Sequence, residues 1–117
     1  MKILTPFLHG LLDYVTVVIF LVAPTALGLA GLAAVVSYAL AGVHLLMTIV
    51  TNFRLGVIKL VPFTLHGWVE RIVGPVLVIL PFILGFENIA RLFYIAMGVI
   101  IVIVGVLTNY ANETANQ

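Results

Sequence analysis

Charged side chains and cysteine are what this chain has least of. Five basic and four acidic residues make up 8% of its 117 positions, and cysteine is absent. Without cysteine there are no disulfide staples, no thiolate metal ligands, no thiol nucleophile and no c-type haem attachment. A formal net charge of +1 provides no broad electropositive face for nucleic acid. Nine charged side chains are too few to cover a water-facing globule of this size. What is present instead is apolar, 64% of residues, with a mean hydropathy of +1.34. An ordinary soluble domain has roughly 45–50%. These proportions exclude a soluble enzyme, a nucleic-acid binder and a disordered chain. They point to an integral membrane protein whose first partner is the lipid bilayer.

About 20 apolar residues in a helix cross a hydrocarbon core of about 30 Å. Four runs meet that length, at about 8–29, 32–50, 65–86 and 89–107. Tight connections, Gly28-Leu29-Ala30-Gly31 and Phe86-Glu87-Asn88, join the first two and the last two. A longer central connection from Thr51 to Thr64 carries Arg54, Lys59 and Pro62, and the polar stretch 111–117 is expected to fray. The expected fold is all-α: four transmembrane helices in two tandem hairpins. Residues 1–59 hold the first hairpin and the central loop, and residues 60–117 hold the second hairpin and the tail.

Shifting the sequence by 57 positions aligns Ile3–Phe53 with Leu60–Tyr110 without a gap, and ten of the 51 pairs are identical. The uncommon residues coincide: His9 with His66, Gly10 with Gly67, Pro24 with Pro81, Gly28 with Gly85, Thr51 with Thr108 and Asn52 with Asn109, while Asp13 meets Glu70. An internal duplication follows. Each copy crosses twice, so the copies run parallel about a pseudo-twofold axis along the membrane normal. The match of the first span to an internal one also argues against a cleaved signal peptide. Lys2, Arg54 and Lys59 share one side, whereas the other has only Arg91 beside Glu87. The positive-inside rule then places both termini in the cytoplasm of a cell (inner) membrane protein. Phe7, Phe53, Phe63, Trp68 and Tyr110 lie near that boundary, as an aromatic belt would.

The run His9-Gly-x-x-Asp13, an apolar stretch and then Pro24-x-x-Leu-Gly28 resembles the SPW-repeat family of small bacterial membrane proteins. The bridge Thr51-Asn-Phe-Arg-Leu-Gly-Val-Ile-Lys-Leu-Val-Pro62 and the second His66-x-x-x-Glu70 extend the resemblance over Leu8 to Tyr110. The naming Ser-Pro-Trp motif stands here as Ala23-Pro24-Thr25 and Leu80-Pro81-Phe82. The resemblance implies two membrane hairpins and carries no established activity.

His9 and Asp13, like His66 and Glu70, are four residues apart and share a helix face. If the hairpins meet with these faces inward, two imidazoles and two carboxylates converge, a set that could hold a divalent metal or relay protons. The plainer reading is structural pairing, with Arg71 and the loop cations neutralising the acids. His44, opposite Ile101 in the other copy, could pair with Asp13 or Glu70, or serve as an axial haem ligand. Pro24 and Pro81 would bend or end their helices before the glycine turns, leaving the carbonyls of Phe20 and Leu77 in need of other partners. Small residues seven apart (Ala34, Ala41 and Thr48; Gly98 and Gly105) form a helix-packing groove, within the chain or toward a partner.

No catalytic motif is present, and an enzyme is not expected. The leading expectation is a structural or interaction protein that packs with itself, as a homo-oligomer, or with other membrane subunits. A channel- or transporter-like module with a cation or proton site comes next, then a haem- or metal-binding membrane protein.

Overall fold

The computed structural model describes residues 2–110. Its four long helices are α1 (Pro6–Ala26), α2 (Gly31–Ile49), α3 (Phe63–Leu84) and α4 (Asn88–Leu107). Each is long and apolar enough to cross a membrane. The fold is an all-α, multi-pass helical bundle. The polar stretch 111–117 lies outside the described residues.

Local chemistry moves the helix ends from where the apolar runs alone put them. Thr5 caps α1, its hydroxyl accepting the Leu8 N–H at 3.2 Å, and Pro6 occupies the first turn, where no N–H is needed. At the other end α1 stops at Ala26 rather than Leu29, two residues past Pro24. The Leu27 and Leu29 N–H groups close the turn on the Ala23 and Pro24 carbonyls. The carbonyl freed by Pro24 has a partner, because the Ser37 hydroxyl of α2 donates to Phe20 O at 2.7 Å. α3 ends three residues after Pro81 on Gly85, which is left-handed at φ 73°. Only glycine enters that region at little cost. Gly31 and Asn88 start the even helices with nearly the same positive φ, 56° and 55°. Asparagine is among the few other residues that tolerate it.

The central connection holds a feature that hydropathy does not reveal. Strands β1 (Thr51–Asn52) and β2 (Val61–Pro62) pair in parallel, with Thr51 opposite Val61. Leu4 and Thr108 form the same kind of parallel bridge. Leu60 and Val61 both donate to Val50 O, just as Ile3 and Leu4 both donate to Leu107 O. Each equivalent position lies 57 residues further along the chain. These bridges tie the start of each odd helix to the end of an even one and satisfy backbone groups at the bundle's edge.

α1 packs along α2, and α3 along α4. One core joins all four helices, with Phe20 edge-on to Phe93 at 5.8 Å and the Tyr94 hydroxyl donating to Ala33 O at 2.6 Å. The small-residue groove is internal. Ala41 and Thr48 are buried and Ala34 is half-buried. A Cβ on Gly98 would come within 2.6 Å of Gly74 O, so the α3 and α4 backbones nearly touch there. Gly105 faces the Arg71 side chain.

Candidate functional site: a buried histidine–carboxylate centre

The centre is built by four helix positions and two loop hydroxyls. His9 and Asp13 come from the first turns of α1, and His66 and Glu70 from the first turns of α3. Thr108 closes α4, and Thr51 opens β1. The structure brings His9, Asp13, His66 and Glu70 together, all buried, with one donor atom from each within 4.8 Å of all the others. Going round the centre, His9 Nε2 lies 3.3 Å from Asp13 Oδ2 and 3.1 Å from Glu70 Oε2. His66 Nε2 lies 3.0 Å from Asp13 Oδ2 and 2.5 Å from Glu70 Oε1. Imidazole nitrogen and carboxylate oxygen therefore alternate around it.

The outer face of each imidazole decides what the inner face carries. His9 Nδ1 is 2.7 Å from Thr108 Oγ1, and His66 Nδ1 is 2.7 Å from Thr51 Oγ1. Each hydroxyl has one proton. Thr108 donates its proton to Val104 O at 2.6 Å, and Thr51 donates to Met47 O at 2.5 Å. Each hydroxyl can then only accept from the histidine, so Nδ1 is the protonated nitrogen on both rings. In a neutral ring Nε2 is left with a lone pair, and that lone pair faces carboxylate oxygens. Among the described residues, His9 Nε2 and Asp13 Oδ2 are buried with no hydrogen bond of proper geometry. Positive charge between these atoms resolves the conflict. Two protons, one on each Nε2, balance the two carboxylates, and so does one divalent cation between two neutral imidazoles.

The donor set suits a metal ion. A tetrahedral ion with bonds of about 2.0–2.2 Å holds its ligand atoms about 3.3–3.6 Å apart. Asp13 Oδ2 lies 3.3 and 3.0 Å from the two Nε2 atoms, which approaches that, whereas Glu70 turns Oε2 to His9 at 3.1 Å and Oε1 to His66 at 2.5 Å and would have to shift to present one oxygen to both. Imidazole Nδ1–H held by an outer partner is the usual arrangement behind metal-bound Nε2. Two nitrogens and two carboxylate oxygens favour ions such as Zn²⁺, Mn²⁺ or Fe²⁺ over Ca²⁺. Haem fits poorly at His44 with His9 or His66, because the Nε2 of each of the three already faces the Asp13 and Glu70 carboxylates at 2.5–3.7 Å, where an iron would have to bond.

The remaining candidate residues divide. His44 joins the centre, with Nε2 3.3 Å from Asp13 Oδ1 and 3.7 Å from Glu70 Oε1. Among the described residues, Arg71 forms no ion pair with Asp13 or Glu70. Its guanidinium lies over the rings of Trp68 and Tyr110, 5.0 and 4.8 Å from their centroids. One residue along a helix is a rotation of about 100°, which turns Arg71 off the Glu70 face. The loop cation Arg54 likewise lies over Phe7 at 4.8 Å. The expected aromatic belt is mostly an internal lid. Phe53, Phe63 and Tyr110 are buried together, with Phe53 stacked on Phe63 at 5.3 Å and Phe63 edge-on to His9 at 5.3 Å. Gly10 and Gly67 make room for this lid, since a Cβ on either would overlap the ring of Phe53 or Tyr110. Burial pushes the Tyr110 phenol up, so the lid adds no charge to the centre.

The paired spacing of His and acid was visible in the sequence, whereas the role of the threonines was not. Their signal was the coincidence of Thr51 and Thr108 under the 57-residue shift. Comparison with protein-family models, curated proteins and solved structures finds no match for this chain in any of the three.

Proposed function

We propose that this is a small multi-pass membrane protein that binds one divalent transition-metal cation at His9, Asp13, His66 and Glu70. The observation that carries the reading is the pair of threonine hydroxyls that fix both Nδ1–H groups and turn both Nε2 atoms toward the carboxylates. Ionisable groups within membrane-spanning helices are costly and call for a partner or a function. The duplicated His-x-x-x-acid pairs, and contacts that recur 57 residues apart, support a parallel internal repeat with the centre on its axis. The same motifs support a place in the SPW-repeat family. The excess of Lys2, Arg54 and Lys59 at the centre's end supports an inner-membrane orientation with both termini cytoplasmic.

Zinc added to metal-free protein in detergent is expected to bind at one ion per chain and to displace about two protons near neutral pH. No stoichiometric uptake of zinc, manganese or iron would end the reading. Replacing either hydroxyl, Thr51→Val or Thr108→Val, should weaken zinc binding by about 10–100-fold while helicity is kept, because it removes an outer partner rather than a ligand.

The second reading is structural, with the centre acting as a charge-balanced pin. It is favoured by the cross-chain reach of the same bonds, His9 to Thr108 and His66 to Thr51, which fasten the two hairpins together. Under that reading the protein serves as a packing module for itself or other membrane subunits, and the zinc titration comes out flat.

A further inference from the structure

The four residues of the centre are almost wholly enclosed. The side chains of His9 and His66 have no exposed surface, and Asp13 and Glu70 keep 4% and 5%. The lid of Phe53, Phe63 and Tyr110 lies against both histidines, with ring centroids 5.3–6.3 Å away. His44 is the exception, with 13% of its side chain exposed. It stands on α2 and faces Asp13 from α1 and both Glu70 and His66 from α3.

Beside it runs a crevice of about 50 Å³ between α2 and α3, bordered by His44, Glu70 and Met47 among aliphatic side chains. That is space for a few waters. Met47 lies two residues before the end of α2, so the crevice begins within a turn of the loop that carries Arg54 and Lys59. The position matching His44 in the second half of the chain is Ile101, which is buried. Ile101 borders the same crevice, so of these two matching positions His44 alone brings a donor atom to it.

We infer that His44 is the exchange ligand of the centre, the imidazole that takes a cation from the α2–α3 crevice and passes it to His9, Asp13, His66 and Glu70. The inference rests on the metal-binding reading above. A hydrated ion gives up its waters one at a time, and each must be replaced by a protein donor if the barrier is to stay low. At His44 the ion already meets Asp13 Oδ1 and Glu70 Oε1, which belong to two residues of the final set. Passage to the centre then needs only the two remaining imidazoles, with His44 as a transient fifth ligand. Zinc accepts such five-coordinate states.

The test is the rate of zinc release from loaded, detergent-solubilised protein into excess chelator, with the rate of loading measured alongside. His44→Leu fills similar space without a donor, and both rates should fall by about tenfold or more. The dissociation constant should move by less than about threefold, since both directions slow together. His44→Gln keeps a polar group facing Asp13 and guards against misfolding of the leucine variant. Its rates should fall between those of the leucine variant and the native protein. Unchanged or faster exchange in both variants overturns the inference alone. So does complete loss of bound zinc in His44→Gln, which would make His44 a permanent ligand. A native protein that takes up no zinc overturns the metal reading and this inference together.

Discussion

Replacing both inner histidines, His9→Gln with His66→Gln, should reduce stoichiometric zinc binding to nothing measurable while the four helices remain assembled. The two imidazoles are half of the donor set, and each of their Nε2 atoms lies between Asp13 and Glu70 at 3.3 Å or less. Loss of an outer partner costs about 10–100-fold in metal affinity, and loss of two direct ligands must cost more. The fold should survive because the glutamine amides can still donate to the carboxylates, and the apolar core and the Ser37 and Tyr94 bonds that join the helices lie outside the centre. The check is zinc per chain after gel filtration, close to one in the native protein and close to zero in the double variant.

The second large effect concerns packing. Gly98→Leu should destabilise the second hairpin by about 3 kcal/mol or more, at or beyond the upper end of ordinary overpacking costs. The obstacle is backbone: the first added carbon already meets Gly74 O at 2.6 Å and the Val78 N at 2.9 Å, and neither can swing aside as a side chain would. Relief requires α3 and α4 to part along their contact. Gly42→Leu is the matched control, because Gly42 is exposed and a Cβ there meets nothing within 4 Å. Thermal unfolding in detergent should therefore show a large loss for Gly98→Leu and almost none for Gly42→Leu. Equal behaviour of the two variants would remove the α3–α4 close approach from the account.

The contrast between these two glycines shows what hydropathy can and cannot convey. Four spans are legible because a membrane demands about 20 apolar residues at a stretch, and each run found a helix within three residues of its expected ends. Gly98 was legible as a small residue at helical spacing. Its partner Gly74 was not, because position 17 in the matched first span is valine and no repeat marks it. The parallel bridges of Leu4 with Thr108 and Thr51 with Val61 were equally hidden. They are single backbone pairings with no alternating pattern of their own.

At the centre, the four-residue spacing of His9 and Asp13, and of His66 and Glu70, gave the shared faces directly. What spacing could not provide was the protonation pattern of the rings. That depends on where two hydroxyl protons go, and Thr108 meets His9 from 99 residues away. Arg71 misled for the reason that made the pairs readable: its position beside Glu70 in sequence is a different face in space, over Trp68 and Tyr110.

X-ray absorption at the zinc edge of the loaded protein addresses the metal centre most directly. The account predicts a four-ligand shell of nitrogen and oxygen at about 2.0–2.2 Å, with the scattering signature of two imidazoles. A shell of oxygen alone, with no imidazole contribution, would contradict it.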